Sequence, residues 1–100
     1  MLGKIKKRKQ RMKVAEEAVL AYMNAFRSAD FKVGELLNGL TAEQRRELYQ
    51  SEDYKRVKQE ILADIEKHFH AMRQAVGICP KWFRIQMNHV LWKAGYERLV

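Results

Sequence analysis

The sequence predicts a small all-α domain, and three observations support this fold class. Apolar residues recur at intervals of three and four along stretches that lack Gly and Pro. Residues typical of helix ends separate these stretches. With 100 residues, 47% of them hydrophobic, the chain can form one core but not two. We expect a bundle of about four to five helices, two long, two short and one C-terminal and aromatic, with a basic N-terminal extension.

The first long helix is predicted from Lys4 to about Arg27. Its apolar stripe contains Met12, Ala15, Val19, Tyr22 and Phe26, which fall on one face of a helix. No Gly or Pro interrupts this stretch, so the helical pattern is continuous.

A break is expected after this helix. Ser28, Asp30 and Gly34 interrupt the apolar pattern, and Phe31 is expected to pack against the core together with Val33. Residues 33–40 are then predicted to form a separate short helix that ends at Gly39.

Two further helix starts can be identified from their capping residues. Thr41 and Gln44 fit a capping box, in which Thr41 caps the helix and Gln44 bonds back to it, and this helix is predicted to end near Gln50. Ser51 is a second N-cap candidate, followed by two acidic residues that favour the positive end of a helix.

The second long helix has the clearest periodicity in the chain. Its apolar residues are Tyr54, Val57, Ile61, Ile65, Phe69, Met72 and Val76. Gly77 is the expected residue just past its end, where a left-handed backbone terminates many helices.

The C-terminal helix is predicted from about Lys81 to Ala94, with Pro80 in its first turn and Gly95 at its end. One apolar stripe consists of Phe83, Met87, Val90, Leu91 and Ala94. A second stripe consists of Trp82, Ile85, His89, Trp92 and Tyr96. A helix with two apolar faces is buried on both sides, so the second face either closes a small core or binds a partner. The residues assigned to partner docking are this second stripe together with Lys81 and Arg84, because Trp and Arg are enriched at binding hot spots.

The net charge of +8 is unevenly distributed. Residues 1–13 carry +7, residues 14–66 carry −4 and residues 67–100 carry +5. We therefore divide the chain into a basic arm at 1–13 that continues into the first helix, and a single helical domain at 14–100.

The basic arm is the strongest candidate for binding a polyanion or an acidic surface. Its positive side chains are Lys4, Lys6, Lys7, Arg8, Lys9, Arg11 and Lys13, with no acidic residue among them. Binding to phosphates would weaken steeply with salt. Nucleic acid, an acidic protein surface and a merely solvated terminus all remain open. No aromatic residue lies in the arm to stack on bases.

The sequence contains no pattern typical of catalysis or of metal binding. It has no Gly-rich phosphate loop, no nucleophile elbow and no zinc-ligand spacing, and Cys79 with His89 is only a nominal Cys/His pair. A helix-turn-helix over 33–50 is disfavoured by acidic residues on its would-be recognition helix. We expect no enzyme activity, cofactor, metal or small-molecule substrate.

The expected cellular location is based on the lack of membrane-spanning and secretory-signal patterns in the sequence. No run of eighteen apolar residues occurs, and no apolar segment follows the basic N-terminus as in a secretory signal. The single cysteine fits a reducing compartment, so a cytoplasmic protein without membrane contact is expected. Cys79–Pro80 is the only bond before a proline, with trans as its default isomer.

The opening GKIKKRKQRMKVAEEA, within residues 3–26, and the short helical body without catalytic motifs resemble small early proteins of temperate lambdoid phages. Within that group the chain is most similar to the anti-RecBCD proteins. The resemblance implies a protein that docks on the RecC part of the host recombination nuclease and acts in the host cytoplasm. It assigns no role to any individual residue.

These observations lead to two expected functions. The first is a non-enzymatic protein that binds and inhibits or redirects a host DNA-processing enzyme through a basic, aromatic helical surface. The alternative is direct binding of DNA or RNA by the basic arm. A dimeric adaptor is a third possibility, although the first stripe spans barely two heptads.

Overall fold

The computed structural model describes residues 2–96, with side chains from Lys7 onward. Four α-helices form the described chain: α1 over Leu2–Leu37, α2 over Ala42–Gln50, α3 over Glu52–Gly77 and α4 over Lys81–Lys93. No strand occurs among these residues. The all-α prediction is confirmed.

Helix α1 is longer than predicted and replaces two expected helices. It continues through Ser28, Asp30 and Gly34 to Leu37, so the separate short helix predicted over 33–40 is wrong. The helix continues through this stretch because the side chains of Ala25 and Ala29 are buried against the rest of the fold. Tertiary packing of this kind outweighs the weak helix propensity of single exposed polar residues. The turn after α1 contains Gly39 at φ 77°, a left-handed conformation that suits glycine.

Phe31 does not pack against the core as expected. Its side chain is 67% exposed, because the continuous helix turns this position towards solvent. Val33, expected beside it in the core, is half-buried.

The capping prediction for α2 is confirmed. The Gln44 amide donates to Thr41 Oγ1 at 3.2 Å, and the Thr41 amide donates to Gln44 Oε1 at 2.9 Å. None of the residues of α2 is buried, so these two bonds fix its start without support from the core.

Helix α3 begins as predicted and ends one residue later than predicted. Ser51 Oγ accepts from the Tyr54 amide at 3.2 Å, which confirms Ser51 as the N-cap. Gly77 lies inside the helix, and the cap residue Ile78 has right-handed angles of φ −89° and ψ −1°. The expected left-handed glycine at this position is therefore wrong.

Helix α4 is bounded by Pro80 and Gly95. The Pro80 carbonyl accepts from the amides of Phe83 and Arg84, and the Cys79–Pro80 bond is trans. At the other end, Gly95 has φ 83°, and the Tyr96 amide donates to the Leu91 carbonyl at 2.9 Å. This pattern is a Schellman motif, and it turns the chain back towards the bundle.

The core lies where α4 covers an antiparallel pair formed by α1 and α3. Its buried members are Ala15, Val19, Tyr22, Met23, Met72, Val76, Cys79, Phe83 and Leu91. All of the α1 members precede residue 24 and all of the α3 members follow residue 71. The α4 layer therefore covers only one half of the helical pair.

The resulting molecule is elongated. Its principal extents are 64 × 23 × 20 Å, and the radius of gyration of its Cα atoms is 17.8 Å. No helix among residues 2–96 is both long and apolar enough to cross a membrane.

Candidate functional site

Four side chains form a line along the exposed face of α4, which we name the α4 seam: Trp82, Ile85, His89 and Trp92. Trp82 is 53% exposed, Ile85 is 58% exposed and Trp92 is 55% exposed. His89 is also exposed, and its ring lies 6.0 Å from that of Trp92. The structure thus answers a question that the sequence left open, because the tryptophan-bearing face is the outward one.

The opposite face of α4 holds the helix on the bundle. Phe83 is 3% exposed and Leu91 is fully buried. At 3.6 residues per turn, the centre of the α4 seam lies roughly 180° around the helix from these core contacts. The seam side chains are consequently not needed to attach α4 to α1 and α3.

Tyr96 is separated from the residues with which the sequence grouped it. Its ring lies 5.0 Å from Phe26 and 6.1 Å from Tyr22, and its hydroxyl donates to the Met23 carbonyl at 3.4 Å. The structure places Tyr96 against the core and leaves the other predicted docking residues, including Lys81 and Arg84, exposed.

A basic corner forms where α1 passes the connection between α3 and α4; we define it as Lys7, Arg11 and Arg84. Cys79 lies beside Arg11, with Sγ 3.8 Å from the Arg11 carbonyl and 3.3 Å from the Ala75 carbonyl. Burial raises the pKa of the Cys79 thiol, while the positive charges of Arg11 and Arg84 oppose that rise. Arg11 and Arg84, far apart in the chain, thus both favour the charged form of the same thiol.

Beside the basic corner is an open cleft of about 290 Å³. It is lined by Lys7, Gln10, Arg11, Val14, Ala75 and Ile78. Val14 is 52% exposed and Ile78 is 64% exposed, so the lining of the cleft combines accessible apolar side chains with the cations Lys7 and Arg11. A ligand that combined apolar groups with negative charge would match this lining.

The sequence did not single out Val14 and Ile78. Val14 lies off the apolar stripe of α1, and Ile78 lies between two predicted helices. An isolated exposed aliphatic residue carries no signal, because such residues are common on protein surfaces. Only their approach in the fold makes them part of one surface.

The basic arm belongs to the first turns of α1. Its described side chains, those of Lys7, Arg8, Lys9, Arg11 and Lys13, are all exposed. The side chains of Lys4 and Lys6 lie outside the described part of the chain. Arg11 of the arm and Arg84 of α4 both act on the Cys79 thiol at the basic corner.

The histidines of α3 form surface pairs. His68 Nε2 lies 3.7 Å from Asp64, and His70 Nε2 lies 3.5 Å from Glu66. Across residues 2–96, no three His, Cys, Asp or Glu side chains are grouped to hold a metal ion.

Comparison with known proteins adds no relatives to this description. No protein-family model matches the chain. Searches of curated proteins and of solved structures likewise gave no match. The features of this chain that bear on function are therefore the α4 seam and the basic corner themselves.

Proposed function

We propose that this protein is a non-enzymatic binding protein that docks through the α4 seam on an apolar, acidic surface of a partner protein. The observation that carries the proposal is the exposure of two tryptophans and an isoleucine on a helix already anchored by its other face. Large aromatic residues near arginine are the side chains that most often dominate binding energy at interfaces.

The charge around the seam indicates the character of the partner. Lys81, Arg84 and Lys93 border it, and no Asp or Glu occurs between residues 67 and 96. An acidic partner surface would gain association rate and specificity from this arrangement, and a basic one would be repelled.

The resemblance of residues 3–26 to phage anti-RecBCD proteins suggests a specific partner to test. We propose the RecC surface of the host RecBCD nuclease as the first candidate, with inhibition or redirection of DNA-end processing as the consequence of docking. A small protein without catalytic groups of its own can act in this way by occupying a surface that the enzyme needs.

The direct test is capture of purified RecBCD by the immobilised protein, followed by a nuclease assay on linear duplex DNA. We expect Ile85→Glu to weaken capture and inhibition at least about tenfold, since it places a charge in the interface. Leu62→Glu is the matched control, because Leu62 is 54% exposed on α3 and Ile85 is 58% exposed on α4. Failure of the wild-type protein to retain RecBCD would exclude this partner.

Direct nucleic-acid binding is the second candidate function. It is favoured by the five exposed cationic side chains that α1 presents between Lys7 and Lys13. Replacing Lys7, Arg8 and Lys9 with Gln should then reduce DNA affinity and flatten its dependence on salt. No measurable DNA binding near about 100 mM salt would reject this function.

A further inference from the structure

The α4 seam has the spacing of a helix-pairing surface. Its four residues follow one another at intervals of three, four and three, as apolar positions do in a heptad repeat. At 3.6 residues per turn they fall within roughly 80° of the helix circumference and extend about 15 Å along it. A narrow, straight apolar line of this kind fits the ridge of another helix better than a broad or flat surface.

We propose that the element covering the seam is an amphipathic α-helix of the partner, with apolar residues at heptad spacing and acidic residues on both flanks. This inference rests on the proposed docking function and specifies its ligand. The mode of binding is the packing of two helices along their apolar lines, with charges at the edges selecting the partner.

Positively charged residues on both flanks of the seam favour a partner helix with acidic flanks. Lys81 borders the seam on one side and Lys93 on the other, with Arg84 beyond Lys81. Carboxylates on both edges of the incoming helix would therefore meet a cation on either side. The same arrangement opposes pairing of α4 with α4 of a second copy, because two sets of lysines would face each other.

The chain is well suited to a fluorescence test, because its only two tryptophans are Trp82 and Trp92. The test ligand is a tryptophan-free peptide of about four heptads with Leu at the two core positions and Glu at the flanking positions. Its twin carries Lys in place of each Glu. We expect the Glu peptide to shift the emission of the full-length protein to shorter wavelength in a saturable way. The Lys twin should bind at least about tenfold more weakly.

Matched variants locate the binding. Ile85→Glu should abolish the emission shift caused by the Glu peptide, and Leu62→Glu should leave it unchanged. The proposal would be overturned if the tryptophan emission does not shift at Glu-peptide concentrations up to about 100 μM, where even weak binding would be detected. Equal responses to the two peptides, or equal effects of the two variants, would also overturn it.

Two other occupants give distinct results. If single-stranded DNA of about 20 nucleotides binds more tightly than the Glu peptide, the surface would be assigned to nucleic acid instead. A wild-type dimer in sedimentation that Ile85→Glu dissociates would assign it to a second copy of the chain. If RecBCD is captured in an Ile85-dependent manner without any peptide response, the docking function stands and the helical ligand is wrong.

Discussion

Trp82 and Phe83 are neighbours in the chain whose side chains meet different surroundings. Phe83 is 3% exposed in the core, and Trp82 is 53% exposed, with the two ring centroids 6.1 Å apart. We expect Phe83→Ala to lower the free energy of unfolding by about 3–5 kcal/mol, since it leaves a cavity. Trp82→Ala should cost about 1 kcal/mol or less.

Urea denaturation followed by circular dichroism measures both changes. Comparable losses for the two variants would mean that Trp82 supports the core, and the docking role of the α4 seam would then fail. The comparison is internal, because both variants remove an aromatic ring from the same turn of α4.

We expect the Cys79 thiol to react slowly with alkylating reagents in the folded protein. It is 5% exposed, and burial raises the pKa of its thiol, so little thiolate is present at neutral pH. We expect alkylation by iodoacetamide at about pH 8 to be at least tenfold slower than in the urea-unfolded chain. Equal rates would show that the corner between Arg11 and Ala75 opens freely.

The same thiol makes stability depend on pH in a defined direction. Because its pKa is higher in the folded state than its ordinary value of 9.0, folding favours the neutral form. This contribution is complete below pH 9.0 and is lost as the pH rises through the folded pKa. Between about pH 8 and pH 10, the wild-type protein should lose more unfolding free energy than Cys79→Ala. Parallel pH profiles would contradict this expectation.

At the scale of single helices, α2 depends on its cap more than on packing. It has no buried residues, and the Thr41–Gln44 bonds fix its first turn. We expect Thr41→Ala to weaken α2 by about 1 kcal/mol. Hydrogen exchange of α2 amides should therefore accelerate about fivefold, while global stability changes little. Ser28→Ala, an exposed serine within α1, is the control and should leave α2 exchange unchanged.

Two glycines near the end of α1 should respond in opposite ways to alanine. Gly34 lies inside the helix with open space around it, so Gly34→Ala should stabilise the protein by about 0.5–1 kcal/mol. Gly39 has φ 77°, where a side chain is strained, so Gly39→Ala should destabilise it by about 1 kcal/mol or more. Urea midpoints of the two variants should bracket that of the wild type, and a shift in the same direction would be inconsistent with an uninterrupted α1.

The helix boundaries that could be predicted from sequence are those determined by residues close together in the chain. The starts of α2 and α3 depend on neighbouring residues, and Thr41, Gln44 and Ser51 identified them. The continuation of α1 depends on Ala25 and Ala29 packing within the fold, which the sequence pattern around Ser28 does not reveal. Polar residues mid-helix weaken a helix only slightly, so they are poor evidence for its end.

The sequence identified most residues of the candidate site, but it did not show which of them share one exposed surface. Both stripes of α4 are apolar, and their sequence alone does not decide which one faces inward. Pro80 sets the entry of α4, and the Schellman motif at Gly95 carries Tyr96 to the core. Contact between Arg11 and Cys79 joins residues 68 positions apart, a relation that only the folded bundle creates.

The whole molecule is an extended helical pair that is covered on one half. Helix α1 alone spans about 54 Å at 1.5 Å per residue. The segment from Cys79 to Tyr96, which contains α4, reaches only from the Arg11 region to Phe26. The uncovered half carries exposed apolar residues such as Phe31, but no line of them with the regular spacing of the α4 seam. Cationic charge is concentrated on the covered half, where the seam and the basic corner lie.

Small-angle X-ray scattering tests this architecture directly. A compact domain of 100 residues has a radius of gyration of about 13 Å, whereas the Cα atoms of this chain give 17.8 Å. We expect a monomer in solution with a radius near the larger value and a maximum dimension close to 64 Å. Ile85→Glu should preserve both, because Ile85 lies outside the core. A monomer radius of about 13 Å would mean that α1 folds back on itself, and the elongated helical pair described above would be wrong.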